Sequence, residues 1–149
     1  YEIGVRLVGS EMCIRDRKGG TQIEKDVFDI FKDEIKRFIK GDVYLQGTRP
    51  HNSNKEDCVI GYLTGINNDV QQGKININFY VPKINIGAQK NVKNIARILE
   101  IEDFMSRLVQ RAPDEYLFVQ EQTINSFEED SNQNLVNAQI LYKRFSINN

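Results

Sequence analysis

Apolar and polar residues alternate without a break between Lys74 and Val81. Successive side chains of a β-strand point to opposite faces of the sheet, so one face of this segment is apolar and the other is polar. The pattern is typical of an antiparallel strand with one buried face, and Pro82 is expected to end it. The apolar face carries Ile75, Ile77, Phe79 and Val81, and the polar face carries Lys74, Asn76, Asn78 and Tyr80.

A helix is predicted before this strand, over about residues 22–40. Thr21 and Glu24 have the spacing of a capping box, in which each side chain accepts a hydrogen bond from the backbone N–H of the other residue. Behind them, apolar residues recur at helical spacing and charged residues fill the remaining face. Gly41 is expected to end the helix, because glycine is favoured just after a helix. The apolar positions are Ile23, Val27, Ile30, Phe31, Ile35, Phe38 and Ile39.

The remaining segments complete an α+β fold. A second helical region, over about residues 91–111, has an apolar stripe that changes phase, which predicts a kink or two short helices near Glu100. The element order α-β-β-β-α-β-β predicts an antiparallel sheet of about five strands packed against two helices, in a single domain of residues 18–149. The other strands are predicted at residues 43–46, 57–64, 116–124 and 135–145, with a hairpin connection at 65–73 and loops at 47–54 and 126–134.

The composition excludes several classes of protein. Hydrophobic residues make up 40% of the chain and charged residues 28%, so disorder is not predicted. No apolar run approaches the roughly 18 residues that span a membrane, and no membrane partner is predicted. The 20 Lys and Arg residues are scattered among 21 Asp and Glu residues. A nucleic-acid-binding protein concentrates its basic residues on one face, so dedicated nucleic-acid binding is not predicted. Cys13 and Cys58 are too few for a disulfide scaffold.

The first seventeen residues differ from the rest of the chain. Their apolar residues alternate only briefly, and Glu2, Arg6 and Glu11 interrupt the continuous apolar core that a signal peptide needs. The string VGSEMCIRDR resembles the translation of a sequencing adapter. Residues 1–17 are therefore predicted to be a non-native segment, with a short edge strand as the alternative.

The residue types that carry catalysis are sparse. His51, the single histidine, lies in a polar loop without the partners of a nucleophilic site. Cys58 lies in an apolar strand, where a buried and unreactive thiol is expected. The two cysteines and one histidine of the chain cannot complete a tetrahedral zinc site without carboxylates, and the acidic run at 128–130 lacks the ligand spacing of a calcium loop. We predict that the protein is not an enzyme, and that it has no catalytic, cofactor-binding or metal-binding residues and no cofactor.

Residues 47–84 contain the motifs R-P-x-N-S, E-D-x-V-I, Q-x-G and a strand that ends in Y-V-P. With the helix before them and the helix and hairpin after them, these motifs resemble the tail completion, or tail terminator, proteins of long-tailed bacteriophages. The resemblance covers most of residues 21–146. It implies a structural protein of the phage or prophage tail and head–tail connector module, which forms a homo-oligomeric ring at the end of the tail tube. The partners that it implies are further copies of the chain and tail-tube or connector proteins. The location that it implies is the virion, assembled in the bacterial host cytoplasm.

A ring of this kind needs a heterologous interface that closes by rotation. The strands at 74–81 and 135–145 are expected to offer an edge for that interface. The loops at 47–55 and 125–134 are expected to reach neighbouring subunits, because loops commonly carry binding residues.

Two other functions stay open at this point. One is a small metal-dependent nuclease that uses Glu56, Asp57 and a carboxylate from a distant strand, because such enzymes bring carboxylates from different segments together. Without that clustering, the pairs Glu56–Asp57 and Glu102–Asp103 are ordinary surface residues. The other is a non-catalytic regulator that binds a host or phage protein.

Overall fold

The computed structural model describes residues 16–110, 112–113, 115–130 and 132–145. It has an α+β fold, in which two helices pack against one face of a mostly antiparallel sheet. The predicted fold class and element order are confirmed, although the described residues form eight strands where the sequence predicts about five. Residues 1–15 lie outside the described residues, so the non-native origin of residues 1–17 stays a prediction.

The first helix, α1, spans Gly20–Phe38 and is close to the prediction. The predicted capping box is wrong, because the N-cap residue is Gly19 and no side chain caps the helix. Glu24 instead accepts a hydrogen bond from the backbone N–H of Tyr62 at 2.8 Å, which fixes the helix to the sheet. Gly41 is not the cap either. It is needed for close approach, since a Cβ atom there would lie 2.1 Å from a carboxylate oxygen of Asp57.

The main sheet has six strands in the order β1-β2-β3-β8-β6, and β7 pairs with β8 beside β6. All pairs are antiparallel except β1 with β2. β4 and β5 form a separate two-stranded sheet. The strands are β1 Val43–Leu45, β2 Cys58–Asn67, β3 Gln71–Pro82, β4 Ile84–Ile86, β5 Gln89–Val92, β6 Tyr116–Val119, β7 Asn125–Glu128 and β8 Gln133–Arg144.

The core lies where β3 and β8 face the helices. The predicted apolar face of β3 is buried as expected, and its residues pair with apolar residues of β8. Ile77 lies opposite Ala138, and Phe79 lies opposite Val136. The Phe79 ring also meets the edge of the Phe104 ring, with ring centroids 6.4 Å apart. The alternation in sequence therefore predicts the buried face of the central strand.

The second helix, α2, spans Ile95–Leu108 and needs no kink. The predicted start at residue 91 is wrong, because the residues before Asn94 belong to β5 and its connection to the helix. Asn94 caps the helix, and its side chain accepts the backbone N–H of Arg97. The apparent change of phase arises because Ile95 and Leu99 face solvent. The residues buried by α2 are Ile98, Ile101, Met105 and Leu108. No helix among the described residues is long and apolar enough to cross a membrane.

Three predictions about strands need correction. The predicted connection at 65–73 is shorter, since Gly65 and Gly73 pair with each other in the β2–β3 ladder. The predicted loop at 126–134 contains most of β7, in which Phe127 lies opposite Leu135. The proposed sheet edges at 74–81 and 135–145 are wrong, because both strands are internal. β3 lies between β2 and β8, and β8 lies between β3 on one side and β6 and β7 on the other.

A buried polar network fixes the end of the sheet where β8 finishes. Arg144 is 6% exposed and donates to Glu115, while Lys18 binds Asp26 at 2.6 Å and Glu115 at 3.2 Å. The Tyr116 hydroxyl donates to Asp26 at 2.8 Å. Burial raises the pKa of the Asp26 carboxyl, but hydrogen bonds from Lys18 and other donors lower it by more. The pKa of Asp26 therefore lies below its usual value of 3.8. Burial and the bond to Asp26 raise the pKa of Tyr116.

Candidate assembly surface

The β4–β5 hairpin carries apolar side chains that the core does not use. Ile84 lies opposite Val92 and Ile86 lies opposite Gln89, and directly opposed residues share a face of an antiparallel pair. Ile84 is 36% exposed and Ile86 is 53% exposed. The hairpin therefore has one mainly apolar face, formed by these two isoleucines and Val92, with Gln89 opposite Ile86.

The shape of the hairpin depends on two residues with positive φ. Gly87, with φ of 58°, lies in the turn between the strands. Asn91, with φ of 56°, lies in a β-bulge, because two residues of β5 oppose Asn85 alone. The Asn85 side chain accepts the backbone N–H of Asn91 at 3.1 Å. Asparagine tolerates this backbone conformation better than most residues, so the local sequence fixes the bulge and the twist that bulges bring.

A cleft of about 380 Å³ lies between the base of the hairpin, the end of α1 and the start of α2. Val81, Pro82 and Ile84 line it with apolar surface, and Lys40 and Lys55 add two exposed ammonium groups. Neither lysine side chain has a salt-bridge partner in the described part of the chain. The cleft is thus apolar with a basic margin, and we refer to it below as the hairpin cleft.

Helix α2 carries an exposed apolar strip of its own. Ile95 is 60% exposed and Leu99 is 59% exposed, and residues four apart lie on the same face of a helix. On the next turn this face carries Glu102 and Asp103. Asp103 binds the exposed Arg107, whereas the Glu102 carboxylate has no salt-bridge partner among residues the structure describes. We call these four residues, Ile95, Leu99, Glu102 and Asp103, the α2 strip.

Glu56 is buried, contrary to its expected place on the surface. Its carboxylate forms a two-pronged ion pair with Arg97, with Nε–Oε2 and Nη2–Oε1 distances of 2.8 and 2.7 Å. Arg97 also donates to the backbone carbonyl of Phe38 at 2.8 Å, and its guanidinium lies over the Phe38 ring. Hydrogen bonding to Glu56 is the main reason why the pKa of Arg97 is raised. The pair therefore joins the end of α1 to the start of α2.

Asp57 is also buried, with 0% exposure. Its carboxylate accepts hydrogen bonds from Ser53 Oγ at 2.6 Å, from Arg49 Nε at 3.0 Å and from the backbone N–H of Asp42 at 2.9 Å. The Arg49 guanidinium also stacks on the Tyr80 ring, 3.8 Å from its centroid. These bonds hold the loop at 47–55 against the domain, so most of it serves the fold.

The other residues considered for catalysis are apart from one another. His51 is exposed in its loop, and Cys58 is buried as predicted. Burial, with the nearby charge of Asp57, raises the pKa of the Cys58 thiol well above its usual value. Within the described ranges there is no group of three or more His, Cys, Asp or Glu side chains that could hold a metal ion. The structure brings Glu56 and Asp57 to two arginines and not to a third carboxylate.

The face of the sheet away from the helices is polar at its centre. Asn137 donates to Asn78 at 2.6 Å and to Asn76 at 3.3 Å across the β3–β8 ladder. A groove of about 470 Å³ lies toward one end, where Leu141 meets the end of β2 and the start of β3. Leu117, 45% exposed, lies on the same face. Ile66, 53% exposed, and Val119, 38% exposed, also lie on this face, so a second exposed apolar patch surrounds the groove.

Comparison of the chain with protein-family models finds no matching family, and comparison with curated proteins finds no significant match. The phage resemblance therefore rests on the motifs of residues 47–84. The structure gives these motifs a physical role. Arg49 and Ser53 of R-P-x-N-S bind Asp57 of the E-D motif, and Glu56 binds Arg97.

Proposed function

We propose that this chain is a structural subunit of a phage or prophage tail and head–tail connector module, and that it forms a homo-oligomeric ring at the end of the tail tube. The observation that supports the proposal is the β4–β5 hairpin, which leaves the main sheet and exposes Ile84 and Ile86. The proposed location is the virion, after assembly in the host cytoplasm.

A hairpin of this kind is unfavourable for the stability of a monomeric domain. An isolated two-stranded hairpin is marginally stable in water, and exposed apolar clusters mark interaction sites. Ile86, Ile95 and Leu99 are each more than half exposed. Covering the exposed part of such a side chain contributes about 1 kcal/mol, since burial of a whole Leu or Ile side chain contributes about 1.5–3 kcal/mol. Assembly that covers these side chains would thus stabilise the hairpin and, at the same time, the contact between subunits.

The motif residues support a non-catalytic role. Glu56 and Asp57 are the carboxylates that a nuclease would use, yet each is bound by an arginine side chain. A metal-dependent nuclease needs carboxylates that are free to bind the ion. No observation favours that alternative. A regulator that binds another protein would use the same exposed hairpin, and the size of its complexes would distinguish it.

Light scattering and negative-stain electron microscopy test the proposal on the purified chain, alone and with isolated tail tubes. The expected result is a ring-sized oligomer, or density added to the end of each tube. A chain that stays monomeric at every concentration, and leaves the tube ends bare, would overturn the proposal. A one-to-one complex with a different protein would favour the regulator instead.

A further inference from the structure

We infer that the ring contact is made by the hairpin cleft of one copy and the α2 strip of the next, an assignment that rests on the proposed function. The occupant of the cleft is therefore a second copy of this chain.

The two surfaces face different ways on one chain. Arg97 lines the hairpin cleft, and Ile95 and Leu99 are each two positions from it. Two positions along an α-helix differ by about 200°. A chain thus cannot place its α2 strip in its own cleft. A contact between different surfaces is heterologous, and it gives a ring where the rotation between subunits closes and an open filament where it does not.

The two surfaces are also complementary in chemistry. Both present exposed apolar side chains, namely Ile84 at the cleft and Ile95 and Leu99 on the strip. The margin of the cleft carries Lys40 and Lys55, which have no salt-bridge partner in the portion of the chain described. The strip continues into Glu102 and Asp103. A cleft-to-cleft contact would instead oppose lysines with lysines, and like charges across an interface disfavour binding.

Charge reversal tests this assignment directly. One variant carries Lys40→Glu and Lys55→Glu, and the other carries Glu102→Lys and Asp103→Lys. Each alone is expected to associate on the order of 100-fold more weakly than the wild type, because like charges then face each other. A one-to-one mixture is expected to assemble again, since the reversed cleft accepts the reversed strip and the unchanged cleft accepts the unchanged strip.

Zero-length carbodiimide crosslinking of the unmodified chain gives a second measurement that does not depend on the variants folding. Rings are assembled from equal parts of ¹⁴N and ¹⁵N chain, and crosslinked peptides are identified by mass. The expected product joins Lys40 or Lys55 of one isotope to Glu102 or Asp103 of the other.

The outcomes separate this inference from the proposed function. If the wild type forms rings while both folded variants assemble as it does, the cleft–strip contact is wrong and the ring proposal stands. Failure of the mixture to recover, with no crosslink between the two surfaces, also overturns the contact. If the wild type never assembles, with or without tail tubes, the proposed function fails as well.

Discussion

The ion pair between Glu56 and Arg97 should be a main support of this fold, and a double-mutant cycle measures its contribution. The Arg97 side chain is 16% exposed and the Glu56 side chain is 6% exposed, with an oxygen–nitrogen distance of 2.7 Å. Removing one partner of a buried pair costs about 3–5 kcal/mol, because an uncompensated charge stays buried. Arg97→Met leaves the Glu56 carboxylate without its arginine, but the backbone N–H of Lys40 still donates to it at 3.2 Å. We therefore expect a cost of about 3 kcal/mol, at the lower end of that range.

The double variant Arg97→Met with Glu56→Met should be more stable than Arg97→Met alone, because no buried charge is left unpaired. Urea unfolding followed by far-UV circular dichroism measures all four chains. With a denaturant slope of about 2 kcal/mol per molar, a loss of 3 kcal/mol lowers the midpoint by about 1.5 M. One protein concentration is used throughout, since assembly adds stability by mass action.

A small and additive effect on the free energy of unfolding would show that this pair is not a main support of the fold. If Arg97→Met costs less than about 1 kcal/mol, the pair behaves like a solvated surface salt bridge. If the double variant loses the sum of the two single losses, the partners are energetically independent. Either result would also reopen Glu56 as a carboxylate available for other chemistry.

Three further changes test other parts of the structure. Asp57→Asn should lower the free energy of unfolding in urea by about 3 kcal/mol, because three donors lose a buried charged acceptor. The control is Glu100→Gln, at an exposed carboxylate. It should change the free energy of unfolding by less than about 0.5 kcal/mol. The pKa of Asp26 in the folded chain lies below its usual value of 3.8. The ionised Asp26 carboxylate therefore stabilises the fold fully at a pH well above 3.8, and this stabilisation is lost as the pH falls through the pKa of the folded chain. The stability difference between wild type and Asp26→Asn should therefore shrink in acid, and a difference that grew there would contradict this sign. Ile86→Asp should abolish assembly, as measured by sedimentation velocity. Leu117→Asp, at a similarly exposed leucine away from the hairpin, should assemble like wild type. Equal behaviour of the two variants would count against the hairpin as an assembly surface.

Much of the fold follows from local patterns. The alternation from Lys74 to Val81 predicts the central strand and its buried face, because a half-buried strand has a period of two. The apolar spacing from Ile23 to Ile35 likewise predicts α1 and its core side. The apparent change of phase in α2 has a physical reason. Ile95 and Leu99 look like core residues in sequence, but they belong to an exposed face.

The candidate surface was harder to predict. The alternation Ile84-Asn85-Ile86 followed by Gly87 is a signal for a hairpin, yet three residues are too few to separate a strand from a loop. The Arg97–Glu56 pair joins residues that are 41 positions apart, and no local pattern reports such a contact. The E-D motif therefore appeared in sequence as surface charge, although the fold buries it.

Native mass spectrometry of the unmodified chain, over a series of protein concentrations, tests the central claim of a closed ring most directly. A closed ring predicts one dominant mass, equal to a fixed whole number of subunits greater than two, which persists on dilution until it gives way to monomer. Monomer alone across the series, or a ladder of masses that lengthens with concentration, would contradict it.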